Sequence, residues 1–94
     1  MTTIPDRQKT HGRFIEYAAV AQTLKEIVRE GSAYNKMTNS QKEGLDMILG
    51  KIARVCTGDP NEPDHWIDIS GYSQRVVESF SFEGDEVETD SCNS

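Results

Sequence analysis

Thr38-Asn39-Ser40-Gln41-Lys42-Glu43-Gly44-Leu45-Asp46-Met47-Ile48-Leu49 opens the segment that decides the fold. Thr38 and Gln41 have the spacing of a capping box, in which the hydroxyl accepts from a first-turn amide and the glutamine reaches back. A helix is therefore expected to start here. Leu45, Ile48, Leu49, Ile52, Val55 and Cys56 then recur at steps of mostly three and four residues, the period of one helical face. Gly58 supplies the stop.

The same logic extends in both directions. Upstream, Phe14, Tyr17, Ala21, Leu24 and Val28 form an apolar stripe that predicts a first helix over 11–30. Gly31 is placed to end it in the left-handed conformation. Tyr34, in the following linker, is an aromatic able to cover the core. Downstream, Asp59-Pro60-Asn61-Glu62 reads as a turn, and Pro63 suits the first turn of a third helix, where its missing N–H costs nothing. That helix is expected over 63–80, burying Trp66, Ile69, Ser73, Val76, Val77 and Phe80.

Residues 1–10 are polar and are expected to be flexible, and 81–94 have the composition of a disordered acidic tail. No segment shows a useful strand period. The expectation is one all-α domain over 11–80, a three-helix unit. At 94 residues, with 35% hydrophobic residues, such a unit is near the lower size limit for a self-sufficient core. It is expected to complete a helical bundle as a homo-oligomer.

The net charge of -6 is concentrated at one end. Glu83, Asp85, Glu86, Glu88 and Asp90 supply five of the 16 acidic residues, which leaves 11 acids against 10 bases in the body. Without a basic excess, double-stranded nucleic acid is not an expected partner. Cys56 and Cys92 have no framework spacing and fit free thiols in a reducing cytoplasm. There is no signal-like apolar run and nothing near the roughly 20 apolar residues of a membrane span. A cytoplasmic protein without a membrane partner is expected.

Two places carry chemistry. Glu43 and Asp46 are three residues apart on the second helix, Asp46 beside the apolar stripe and Glu43 nearly opposite its centre. Asp64, His65, Asp68 and Tyr72 fall on the third helix, with His65, Asp68 and Tyr72 in a row on the flank of the Trp66 stripe. Carboxylates on two facing helices can hold Mg²⁺ against a diphosphate, and an activated water then attacks phosphorus. The plainer alternatives are macrodipole preference for Glu43 and Asp46 and a hydrogen-bonded helix contact for Asp68. Lys51, Arg54 and Arg75 are placed to meet phosphate, or to serve as a solvated face. Gly44, Gly50 and Gly71 each cost helix stability of about 1 kcal/mol relative to alanine, which points to close approach by a neighbouring element or a ligand. Zinc sites, phosphate loops and Ser/His/Asp sets have no residues to build them.

The blocks Gln41-Lys42-Glu43-Gly44-Leu45-Asp46, Lys51-Ile52-Ala53-Arg54, Gly58-Asp59-Pro60 and Asp64-His65-Trp66-Ile67-Asp68-Ile69-Ser70-Gly71-Tyr72 resemble a group of small phage and prophage proteins. More distantly, they resemble the MazG-like all-α nucleotide pyrophosphohydrolases. The resemblance spans about 11–78. It implies Glu43, Asp46 and Asp68 as Mg²⁺ ligands, Asp64 or His65 assisting the water or the ion, and Lys51, Arg54 and Tyr72 at the nucleotide. The pattern departs from those enzymes in having His65 three residues before Asp68, with Asp64 four before, and in ending the first pair with Asp46. The functional expectation is a phage-type nucleotide-binding protein acting in a bacterial host, with Mg²⁺-dependent pyrophosphohydrolysis ahead of two alternatives. One is a non-catalytic sponge for a host immune nucleotide such as a cyclic nucleotide or ADP-ribose derivative. The other is a structural helical bundle.

Overall fold

The computed structural model describes the backbone of residues 13–86 and the side chains of 13–82. Three helices follow one another: α1 (Phe14–Arg29), α2 (Asn39–Thr57) and α3 (Pro63–Glu86), with a 3₁₀ turn at Tyr34–Lys36 between the first two. The described residues contain no strand, so the chain is an all-α three-helix unit. No helix among them is long and apolar enough to cross a membrane. The residues expected to be flexible at 1–10, and 87–94 of the expected tail, lie outside the described residues.

Local chemistry sets the helix ends. The capping box of α2 is complete: Thr38 Oγ1 accepts from the Gln41 amide at 3.1 Å, and Gln41 Oε1 accepts from the Thr38 amide at 2.9 Å. At the other end the Gly58 amide donates to the Arg54 carbonyl at 2.9 Å. The Asp59 carboxylate accepts from the Asn61 amide at 2.9 Å and shapes the turn into α3, whose first residue is Pro63 as expected.

Two ends differ from expectation. Gly31 does not adopt the left-handed conformation. Instead α1 tightens, Glu30 N–H donating to Ile27 O and Gly31 N–H to Val28 O, both at 3.1 Å. These bonds satisfy the last carbonyls without a positive φ. The third helix also runs through 81–86, six residues past the expected end. Nothing in Ser81-Phe82-Glu83-Gly84-Asp85-Glu86 breaks a helix outright, and the acidic composition alone made it read as tail.

The middle helix organises the packing. α2 contacts both α1 and α3 extensively, whereas the outer helices have no comparable contact with each other. Gly50 lies 3.3 Å, measured from an ideal Cβ, from the Tyr17 hydroxyl of α1, and Gly44 packs directly on Val76 of α3. Buried apolar side chains are few: Ala21, Leu49 and Ala53. The radius of gyration is 16.2 Å, against about 12 Å for a compact domain of this length.

The third helix presents a different face from the expected one. His65, expected on an exposed flank, is 3% exposed, while Trp66, Val77 and Phe80, expected in the core, are each more than half exposed. Ser73 is exposed as well, and Ile69 and Val76 are half-buried. The rotation follows from the partner surface. The gap above Gly44 accepts Val76, and the Lys51 ammonium draws Asp68, so α3 turns the row of His65, Asp68, Tyr72 and Val76 toward α2.

Candidate functional site: a groove between α2 and α3

Close approach at Gly44 brings the first half of α2 against the middle of α3, and a groove of about 580 Å³ opens beside that contact. Asn39, Ser40, Glu43, Gly44 and Met47 line it from α2, and Tyr72, Arg75 and Val76 line it from α3. This volume is in the range of small-molecule sites. The contents are mixed in a useful way. Met47 and Val76 are apolar, Tyr72 offers a ring with the Arg75 guanidinium 5.9 Å from its centroid, and Glu43 supplies a carboxylate. Asn39 and Ser40 belong to the first turn of α2, the positive end of its macrodipole.

The acidic residues read from the sequence are not gathered around one point. Asp46 faces α1, where its carboxylate is 4.0 Å from the Arg29 guanidinium. Asp68 accepts from Lys51 at 2.9 Å across the α2–α3 contact. Glu43 lines the groove. Among the described residues, no group of three or more His, Cys, Asp and Glu side chains is placed to hold a metal ion. Within one chain, therefore, Glu43, Asp46 and Asp68 are not brought together as a single set.

The remaining candidates divide similarly. Asp64 is exposed in the first turn of α3, and its backbone N–H is 3.5 Å from the Glu62 carboxylate. His65 is buried in the first turn of the same helix. Lys51 and Arg54, expected to point outward at phosphate, are used between helices: Lys51 in the ion pair with Asp68, and Arg54 stacked 4.2 Å from the Tyr17 ring centroid. Tyr72 and Arg75 are the members of the predicted set that share the groove with Glu43.

No protein-family model, curated protein or solved structure matches this chain.

Asn39, Ser40 and Met47 enter the groove without having been singled out from sequence, and Val76 was expected only as a core residue. Gly44 carried the usable signal, a helix-interior glycine where a neighbour must come near. Which residue of α3 comes near, and what opens beside it, depends on the rotation of α3.

Proposed function

We propose that this protein binds a nucleotide or nucleotide-derived anion in the α2–α3 groove, as part of a homo-oligomer, and holds it without turnover. The observation that carries this reading is the company Tyr72 and Arg75 keep: a ring and a guanidinium in one groove, beside the first turn of a helix. A base would stack on Tyr72 against Met47 and Val76. A phosphate would take hydrogen bonds from Arg75 in the positive field of the α2 N-terminus. Glu43 would accept from a base amino group or ribose hydroxyl. The resemblance to small phage proteins supports sequestration of a host nucleotide signal as the biological setting.

Binding ranks above hydrolysis because Asp46 and Asp68, two of the three carboxylates a Mg²⁺ mechanism would recruit, are engaged with Arg29 and Lys51. The test is a thermal-shift screen of the full chain over mono-, di-, cyclic and ADP-ribose-type nucleotides, with and without Mg²⁺. Ligand recovered from the heated complex is then identified by chromatography. A ligand at 100 times its Kd stabilises by about 2.7 kcal/mol, a shift on the order of 10 °C for a domain this small. The expected result is such a shift without Mg²⁺, intact ligand, and loss of the shift in Arg75→Gln with helicity retained. Cleaved ligand would assign the hydrolase instead. No shift across the panel would leave a helical bundle without a nucleotide.

A further inference from the structure

Trp66, Ile69, Ser73, Val77 and Phe80 are spaced three, four, four and three residues apart. That spacing reads the same from either end, and its centre is Ser73. On a helix of 3.6 residues per turn these five positions fall within a stripe about 80° wide. The stripe occupies the face of α3 that neighbours the groove-lining Tyr72 and Val76. Its own chain half-buries Ile69 and leaves the rest uncovered: Trp66 is 54% exposed, and Val77 and Phe80 are each 56% exposed.

We infer that this stripe docks against the same stripe of a second copy, with the two α3 helices antiparallel about a two-fold axis through Ser73. Under that axis Trp66 meets the partner's Phe80, Ile69 meets the partner's Val77, and Ser73 meets the partner's Ser73. An isologous interface must be self-complementary in this way. The large residues sit away from the axis and the small one lies on it, where two crossing helices come closest.

The self-complementary spacing is what selects a second copy, and three further observations favour burial of the stripe in an interface. Ala21, Leu49 and Ala53 are the only buried apolar residues among those described, so a surface that covers the stripe would add substantially to a small core. No Asp, Glu, Lys or Arg falls in the stripe or beside it from His65 to Ser81, consistent with the charge depletion of an interface core. The polar atoms in the stripe are already satisfied within the chain. Trp66 Nε1 donates to Pro60 O at 2.9 Å, and Ser73 Oγ donates to Ser70 O at 2.9 Å. Both can lose water at little cost.

With Trp66, Val77 and Phe80 more than half exposed, the stripe offers on the order of 400 Å², about half of the ~800 Å² that each partner of a standard-size complex contributes.

The inference rests on the oligomeric half of the proposed function and is independent of the groove ligand. Sedimentation velocity on the full chain is expected to give a dimer, or a higher assembly built from it. In a Cys56→Ser, Cys92→Ser background, Ser73→Cys is expected to cross-link between chains on mild oxidation. Gln74→Cys, about 100° round the helix, is expected not to cross-link. Val77→Glu should weaken association at least 100-fold or prevent folding. A monomeric wild-type chain at tens of micromolar would overturn both the oligomer and this interface. A dimer in which Ser73→Cys fails to cross-link, or cross-links no faster than Gln74→Cys, would overturn the interface alone.

Discussion

Val76 of α3 occupies the space that a side chain on Gly44 of α2 would need. This contact sets the distance between the two helices and hence the floor of the groove. Alanine at position 44 gains about 1 kcal/mol in helix propensity, but its methyl collides with a Val76 methyl in a buried place. Overpacking costs typically 1–3 kcal/mol. Gly44→Ala is therefore expected to destabilise the protein in urea denaturation. In a Val76→Ala background the same change should be stabilising, because the obstructing methyls are gone. A stabilising Gly44→Ala in the wild-type background would show that the two helices do not meet there.

Gly71 behaves in the opposite way. Nothing lies within 4 Å of where its β-carbon would be, and it points away from the Ser73 stripe. Gly71→Ala should raise stability by up to about 1 kcal/mol, visible as a higher Tm. A lower Tm, with association unchanged, would reveal a neighbour packed against this position in the assembled protein.

Lys51 and Asp68 tie α2 to α3 at 2.9 Å, with side chains 24% and 42% exposed. A pair this open to water is worth at most about 1 kcal/mol. A double-mutant cycle through Lys51→Ala and Asp68→Ala is expected to give a coupling of that size, shrinking as salt rises. Asp68→Asn should consequently lower stability, so any ligand-binding defect in that variant must be read beside its Tm. Zero coupling at low salt would detach Asp68 from Lys51 and return it to the list of available carboxylates.

The Thr38–Gln41 box holds the end of α2 that borders the groove. Thr38→Ala should cost about 1 kcal/mol and Thr38→Asp much less, since aspartate caps as well. Calorimetric melting of the three proteins checks the order. If ligand binding is also present, Thr38→Ala should weaken it by loosening the turn that carries Asn39 and Ser40.

The helices, their order and most of their ends were legible in the residues. Thr38 with Gln41, Pro63 after the 59–62 turn, and the periodic apolar positions of 14–28 and 45–56 act through bonds and sterics within four residues, so each segment carries its own instruction. The apolar period of 66–80 was legible too, but the expectation that it faces the core was not met, since Trp66, Val77 and Phe80 are each more than half exposed. Two neighbouring faces of α3, one bearing Trp66 and Val77 and the other His65 and Tyr72, were both able to meet α2. The choice depended on a gap at Gly44 and a charge at Lys51 located on another helix. The same dependence separated the carboxylates: Glu43, Asp46 and Asp68 match a metal set in type and spacing, but Arg29 and Lys51 hold two of them toward different neighbours. Spacing along one helix specifies which residues share a face, and only the packing of helices specifies what that face meets.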